Sequence, residues 1–276
     1  MDIKDIIVFS EAGRASAAAS LLAARVARDQ DAYLVGMCHI SEPIPPAGAS
    51  YAVGAAVVDW VLDGREQAID EAVEVAAESF HLAVAAMGCA SAWRVSEKGA
   101  PLEAIARLAT GFDMAVVPRH DPADARLAER VLLSGGTPCL IVPYNAPQSR
   151  PIERILVAWD ASRAARQALA DAIPLLKKAK QVRLVVVGHE ALADDGEDPC
   201  GPIVHHLARH GIIAELRHIP DPAADVGSTL LDHSVVFDAD LVVMGAYGRG
   251  RLAESICGGA TRTFLTRGTT PVLMSH

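Results

Sequence analysis

Aromatic residues and positive charge are both scarce in this chain of 276 residues. Phe, Trp and Tyr make up 4% of it, and 25 Lys and Arg are outnumbered by 34 Asp and Glu, which gives a net charge of -9. Binding to nucleic acid or to an anionic membrane generally needs a basic surface, so the composition argues against both kinds of partner. Ala, Val and Leu dominate instead, as expected of helices packed on a parallel sheet.

Long apolar runs and cysteine motifs are also missing. No run reaches the roughly 18 uninterrupted apolar residues of a membrane-spanning helix. The opening segment M-D-I-K-D-I-I-V-F-S is strand-like and its apolar run is too short for a signal peptide. The five cysteines are scattered and form no C-x-x-C pair, so we expect neither a disulfide framework nor a zinc ribbon. Reduced cysteines favour a cytoplasmic location.

The same succession of segments occurs twice along the chain. The runs I-I-V-F-S-E at 6–11 and I-L-V-A-W-D at 155–160 each precede an Ala-rich helical segment, and each half ends with a Thr-Pro pair before a last apolar run. Short apolar runs that alternate with helical segments indicate βαβ units and a parallel sheet. We predict strands at 3–10, 32–39, 91–98, 113–118 and 138–143 in the first half and at 152–160, 182–188, 212–219, 240–245 and 270–275 in the second.

A polar segment with two prolines, 144–151, separates the two halves. This composition is typical of a linker, so we predict one domain at 1–144 and a second at 151–276. A long helix is expected over 56–86. Each domain is predicted to be of the α/β class, with a five-stranded parallel sheet and helices on both faces.

Asp160 and Gly245 are candidates for one shared site in the second half. If the strand order is 3-2-1-4-5, it reverses between the first and fourth strands, and ligands bind there beyond the carboxyl ends. Asp160 ends the first of these strands and Gly245 ends the fourth, so both would face one crevice. The carboxylate could accept hydrogen bonds from a base or a ribose hydroxyl, or help to hold a metal. Alternatively, Asp160 or Ser162 only caps the next helix.

A glycine-rich stretch, M-G-A-Y-G-R-G-R-L-A-E-S-I-C-G-G-A at 244–260, follows the predicted fourth strand. Gly258 and Gly259 would open the next helix, whose free N–H groups and dipole favour an anion. Arg249 and Arg251 could add contacts to phosphate oxygens. The alternative is a solvated basic loop that only connects strand to helix.

Taken together, these segments resemble the universal stress proteins in their tandem form, with two Rossmann-like domains of the adenine nucleotide α-hydrolase type. The nucleotide-binding signature of that family is G-x2-G-x9-G-(S/T) after the fourth strand. Gly245, Gly248 and Gly258 match its three glycines. The resemblance covers the second half well and the first half more loosely.

The resemblance implies that the second half binds ATP, with or without Mg²⁺. It also assigns a part of the nucleotide to each matching residue. These are Asp160 at the adenosine, Val187 bordering the adenine, Met244, Gly245, Tyr247 and Gly248 along the ribose and first phosphates, and Gly258, Gly259 and Ala260 at the outer phosphates.

Two positions depart from the family pattern. Gly259 stands where the family has Ser or Thr, so a hydroxyl that contacts phosphate or metal is lost while the backbone N–H remains. Trp159 is large for a position beside the expected base, and it either stacks on that base or crowds it out.

The first half lacks the glycine turn. Glu11 stands where Asp160 stands in the second half, and V-P-R-H-D-P at 117–122 replaces the glycines. The two prolines of this segment have no N–H to donate, and Asp121 would repel phosphate. We therefore predict that the first domain binds no ATP in the family manner and serves as a structural partner or as a site for another ligand.

The resemblance also implies how the halves associate. Single-domain members of the family dimerise through their last strands, which implies that 138–143 and 270–275 pair antiparallel within this chain as a pseudo-dimer. Such pairing would protect two apolar sheet edges. A homodimer of the whole chain stays open.

Three hypotheses for the function follow. The first is a cytoplasmic stress-response protein that senses or signals through ATP and hydrolyses it slowly or not at all. The second is a stress protein that acts through protein partners without nucleotide, and the third is a carrier of another small ligand in the same crevice. No catalytic residue is predicted. His206 and His210 are spaced i, i+4, but a solvated helix face is the simpler interpretation, so no metal site is predicted.

Overall fold

The structure, a computed structural model, describes residues 2–12, 16–40, 55–120, 126–146, 150–188, 201–220, 225–247 and 259–276, without the side chains of 55–65. The strands are β1 (Asp5–Glu11), β2 (Tyr33–His39), β3 (Ser91–Val95), β4 (Met114–Arg119), β5 (Cys139–Pro143), β6 (Arg154–Ala158), β7 (Gln181–Val187), β8 (Ala214–Ile219), β9 (Leu241–Gly245) and β10 (Val272–Ser275). The helices are α1 (Ala17–Gln30), α2 (Ala55–Met87), α3 (Leu102–Leu108), α4 (Arg126–Gly135), α5 (Arg163–Leu176), α6 (Gly201–Arg209), α7 (Val226–Val236) and α8 (Gly259–Arg267).

All these strands belong to one ten-stranded sheet with the order β3-β2-β1-β4-β5-β10-β9-β6-β7-β8. Within each half the neighbours are parallel, and the order is the predicted 3-2-1-4-5. The predicted α/β class with a parallel sheet and helices on both faces is therefore confirmed. The domain boundaries at 144 and 151 stay a prediction.

The two halves meet at an antiparallel pair of strands, β5 and β10. Val272 lies opposite Ile141, Leu273 opposite Leu140, and Met274 opposite Cys139. Each of these side chains is at most 2% exposed. The predicted antiparallel pairing of the two last strands is confirmed, and it converts two apolar edges into the centre of the sheet.

Equivalent serines begin the first helix of each half. Ser16 Oγ accepts a hydrogen bond from the N–H of Ala19 at 3.2 Å, and Ser162 Oγ accepts one from the N–H of Ala165 at 3.1 Å. Both serines have extended backbone, as N-caps do. The helices α1 and α5 that follow have the same length and bury alanine-rich faces in one shared apolar cluster.

A buried arginine also ties the halves together. Arg119, at the end of β4, is 8% exposed, and its guanidinium donates to the carbonyl oxygens of Thr266, at 3.3 Å, and Gly268. These carbonyls lie at the end of α8, where backbone acceptors have no helical partner. Burial lowers the pKa of Arg119 from its usual value. The side chain thus bonds across the seam instead of facing the crevice of the first half.

We predict that replacing Arg119 by Met destabilises the chain by about 2–4 kcal/mol, because two buried carbonyls lose a charged donor. The matched control is Arg130→Met, since Arg130 forms an exposed ion pair with Glu103 at 3.3 Å and should cost less than about 0.5 kcal/mol. Urea unfolding of both variants measures the difference. Equal losses for the two would show that the Arg119 contacts contribute nothing beyond a surface pair.

Candidate functional site

A cavity of about 380 Å³ opens in the second half where the strand order reverses. β6 lies between β7 and β9, so the chain leaves β6 towards one side and returns on the other. Ligands of open α/β sheets bind at such points, beyond the carboxyl ends of the strands. The cavity is lined by Ala158, Trp159, Asp160, Ala165, Val185, Val187, Asp225, Val226, Gly227, Leu230, Met244, Gly245, Gly259, Ala260 and Thr261.

One wall of this cavity is apolar. Ala158, Val185, Leu230 and Met244 are buried members of a single apolar cluster on one face of the sheet. Val187 is partly buried and packs against the same cluster. Such a wall removes apolar surface from water and suits a flat, weakly polar ring better than a hydrated ion.

Helix N-termini face this wall. The first residues of α7, Val226 and Gly227, and the first residues of α8, Gly259 and Ala260, all line the cavity. The N–H groups of a first helical turn have no carbonyl partner within the helix, and the helix dipole adds partial positive charge there. At α7 the carboxylate of Asp225 already accepts hydrogen bonds from the first-turn N–H groups of Gly227 and Ser228. The cavity therefore combines an apolar wall with one group of backbone donors suited to an anion, at the start of α8.

Two glycines allow the helices to approach this closely. A Cβ on Gly227 would lie 2.7 Å from the Cβ of Thr263 and 2.9 Å from the Cα of Ala260, so α7 can pack on α8 only without a side chain there. A Cβ on Gly245 would lie 2.4 Å from the backbone nitrogen of Ala165. The role of Gly245 is thus to bring α5 onto β9, in addition to leaving space in the crevice.

Asp160 lies at the mouth of the cavity and also shapes the start of α5. Its Oδ1 accepts a hydrogen bond from the N–H of Ser162 at 3.0 Å, and Ala161 between them has a left-handed backbone with φ of 57°. Ser162 itself is the N-cap. Ser162 is therefore the residue that caps α5. Asp160 stabilises the turn before the helix and also lines the cavity.

The charge of the described lining is negative. Its ionisable side chains are Asp160 and Asp225, and no Lys or Arg is present among the lining residues that the structure describes. Hydrogen bonds from the side chain and N–H of Ser228 lower the pKa of Asp225, with a smaller contribution from Arg267. Among the described residues, a phosphate ligand would therefore meet backbone N–H groups and no cationic side chain.

Six of the nine predicted site residues line the cavity: Asp160, Val187, Met244, Gly245, Gly259 and Ala260. Tyr247 does not line it: its ring stands edge-on to that of His276 at 5.5 Å, and its N–H donates to Thr261 Oγ1 at 3.4 Å. Gly248 and Gly258 lie outside the described residues, as do Arg249 and Arg251.

Sequence reasoning missed the contribution of α7. Asp225 caps this helix, and Val226, Gly227 and Leu230 reach the cavity from it. The sequence carried one signal, an aspartate before an apolar helical segment, which is typical of an N-cap. The sequence did not indicate that the helix after β8 would reach the cavity beside β6, because β8 lies two strands away from β6 in the sheet.

Trp159 packs away from the apolar wall. It packs against Val186, as Ile203 and Leu216 also do, and this cluster is separate from the one that holds Ala158. The residue thus borders the cavity while it packs against a side chain of β7. This placement favours neither stacking on a bound ring nor filling of the cavity.

The first half shows a different arrangement at the equivalent place. Arg119 is drawn into the seam, and residues 121–125 lie outside the described part of the chain. Cys38, at the end of β2, has its pKa raised to about 11 by burial and, to a smaller degree, by the carboxylate of Glu11. Glu11, the counterpart of Asp160, therefore lies near the buried thiol of Cys38.

His206 and His210 on α6 have ring centroids 4.7 Å apart. Within the described ranges, no three His, Cys, Asp or Glu side chains are grouped as metal ligands would be. None of the described helices combines the length and apolar content needed to cross a bilayer.

The chain matches no protein-family model and no curated protein, but solved structures match it over nearly its whole length. A universal stress protein from Archaeoglobus fulgidus is 15% identical with a TM-score of 0.65, and the match covers 99% of this chain and 96% of that one. A putative universal stress protein and a functionally unknown protein, both from Pseudomonas aeruginosa, are 16% and 17% identical, each with a TM-score of 0.59 and covering 98% of this chain and 92% of theirs. The fold is therefore that of the universal stress proteins, as the resemblance implied.

We predict that alanine lowers the stability at one lining glycine and not at another. Gly245→Ala should cost about 1–3 kcal/mol, because its Cβ meets the backbone of α5 at 2.4 Å. Gly259→Ala is the matched control: nothing lies within 4 Å of its Cβ, and alanine suits a helix better than glycine, so stability should stay within about 0.5 kcal/mol or rise. Thermal and urea unfolding measure both, and an unaffected Gly245→Ala would contradict the described approach of α5 to β9.

Proposed function

We propose that the chain is a stress-response protein that binds ATP in the crevice of its second half. One observation carries the proposal: the N-termini of α7 and α8 converge on an apolar-walled cavity at the reversal of strand order. The wall of Ala158, Val185 and Leu230 would hold the adenine, and the backbone donors at Gly259 and Ala260 would meet phosphate oxygens. The universal stress protein fold supports the stress-response part of the proposal.

The proposal includes Mg²⁺ because the negative charge of the triphosphate needs a cation beside the carboxylates of the lining. The described lining offers two carboxylates and no cationic side chain, whereas the triphosphate of ATP is strongly anionic. Mg²⁺ bound with phosphate oxygens and one carboxylate is a common arrangement, and Asp160 at the mouth is the residue that fits it. The remaining residues of the predicted signature, Gly248 and Gly258, complete the proposed site.

We propose that the nucleotide is held and not turned over rapidly. Among the described lining residues the titratable groups are Asp160 and Asp225, and both accept hydrogen bonds that shape helix starts. Neither is placed as a dedicated general base. We also propose a cytoplasmic location. Cys38 and Cys139 are buried free thiols whose pKa values are raised by burial, and reduced cysteines are typical of the cytoplasm.

A neutral ligand is the second candidate, and the charge of the lining favours it. Two carboxylates at the mouth disfavour phosphates that have no accompanying cation, while a nucleoside would meet the apolar wall without that cost. A third role, binding of protein partners without a small ligand, rests on the Gly259 departure and on the first half, which lacks the glycine turn.

Calorimetry with the full chain tests the proposal. We expect saturable binding of ATP with Mg²⁺ and a loss of about tenfold or more in affinity for Asp160→Ala, because a charged acceptor is removed. Asp232→Ala on the exposed side of α7 is the matched control and should bind as the wild type does. Phosphate release followed in the same samples should stay orders of magnitude below about 10 s⁻¹.

Three results would decide against parts of this proposal. No heat at millimolar ATP with Mg²⁺ removes ATP as the ligand, and tighter binding of adenosine than of ATP establishes the neutral candidate. Rapid phosphate release contradicts a holding role. Mass spectrometry of whatever the freshly purified protein releases identifies any other small ligand.

Gly259→Ser supplies a gain-of-function test at the position that departs from the family signature. Nothing lies within 4 Å of a Cβ built on Gly259, which is the first residue of α8, so a serine fits without strain. The new hydroxyl should add one contact to a phosphate or to its metal and tighten ATP binding by about three- to tenfold. Gly259→Ala is the control without the hydroxyl. Equal affinities for the two variants would show that phosphates do not reach this helix start.

A further inference from the structure

A second cavity of about 260 Å³ lies at the seam between the halves, away from the crevice. It is bounded by α1, by the end of β5 and the segment after it, by the end of α7, and by the residues before β10. Its apolar lining includes Leu22, Val142, Ile152 and Val235. Nothing in the proposed nucleotide function uses this space.

Arg25 is the feature that sets this cavity apart. The residue lines the cavity and is only 9% exposed. Within the part of the chain that the structure describes, no acceptor lies within hydrogen-bonding distance of its guanidinium and no carboxylate forms an ion pair with it. The charge therefore faces the cavity without a protein partner, and an anion that enters the cavity would form a charge-assisted pair with it.

The other charges at the cavity are already paired. The two terminal nitrogens of Arg150 donate to the two carboxylate oxygens of Asp238, each at 2.7 Å, and its Nε lies 3.6 Å from Asp240. Arg154 also donates to Asp238. The hydrogen bonds from Arg150 lower the pKa of Asp238 to about 2, so this carboxylate stays ionised. Two arginines thus offset two aspartates, and the charge of Arg25 is left over.

The second copy of the fold shows how this position is satisfied elsewhere. Asp171 in α5 and Arg25 in α1 each lie nine residues after the capping serine of their helix. Asp171 accepts a hydrogen bond from Ser275 Oγ at 2.8 Å, at the end of β10. The counterpart of Ser275 in β5 is Val142, which offers no polar side chain. The first half thus has Arg25 and Val142 at the two positions where the second half has the hydrogen-bonded pair Asp171 and Ser275.

We propose that this seam cavity binds a small organic carboxylate with a short aliphatic body. The planar fork of Arg25 matches the two oxygens of a carboxylate, and the apolar lining takes the chain behind it. A monoanion suits the site because Arg25 supplies the one cationic charge at the cavity that no described carboxylate balances. The volume is below the usual range for drug-sized ligands of about 300–1,000 Å³, which limits the ligand to a few carbons.

Methyl-labelled full-length protein tests the proposal by NMR titration in a buffer free of carboxylate and phosphate. The probes are butanoate, its neutral isostere butanamide, and inorganic phosphate. We expect saturable shifts of the Leu22 and Val142 methyl signals with butanoate, none with butanamide, and weaker binding of phosphate. Arg25→Gln should raise the dissociation constant of butanoate by at least about tenfold.

The control is Arg28→Gln, since Arg28 lies on the same helix but is about half exposed and pairs with Asp29 at 2.6 Å. It should bind butanoate as the wild type does. The proposal is overturned by unsaturated shifts throughout the millimolar range, by shifts that map away from the seam, by equal binding of butanamide, or by tighter binding of phosphate. A folded Arg25→Gln that binds normally also overturns it. If that variant does not fold, the comparison of butanoate with butanamide on the wild type decides.

Discussion

The antiparallel pairing of β5 with β10 is the contact on which the rest of the structure depends. It joins two parallel five-stranded arrays into one sheet and buries side chains such as Leu140 and Leu273 that would otherwise line exposed edges. Because the pair is antiparallel, the carboxyl ends of the two arrays point in opposite directions. The crevice of each half therefore lies beside the amino ends of the other half, and this neighbourhood creates both the Arg119 contact with α8 and the seam cavity around Arg25.

Much of this architecture could be predicted from the repeat. The two series of apolar runs indicated the strands, and the order 3-2-1-4-5 assumed for a doubly wound sheet was sufficient to bring Asp160 and Gly245 to one crevice. The role of α7 could not be predicted, because an N-cap aspartate indicates where a helix begins and not where it points. The burial of Arg25 could not be predicted either. It depends on contacts with the other half of the chain, and an arginine in an Ala-rich helix usually lies in solvent.

The two copies share a backbone and differ in the side chains at equivalent positions. In the second half, Asp171 and Ser275 form a hydrogen bond where α5 meets the sheet, and the glycines at 227 and 245 let helices close on the crevice. In the first half, Arg25 replaces the aspartate and Val142 replaces the serine. A duplicated fold can keep its core while each copy exchanges a few polar residues, since apolar clusters supply most of the packing of helices on the sheet.

One helix belongs to both cavities. The first turn of α7 lines the crevice through Val226 and Gly227, and its last turn lines the seam cavity through Ser234 and Val235. The helix has 11 residues, so about 16 Å separates its two ends. A packed helix moves as a unit, and the contact of Gly227 with Thr263 and Ala260 leaves α7 little room to shift without disturbing α8. A ligand that displaced α7 at one end would therefore also have to displace α8, and any coupling between the two proposed ligands through this helix would be reciprocal.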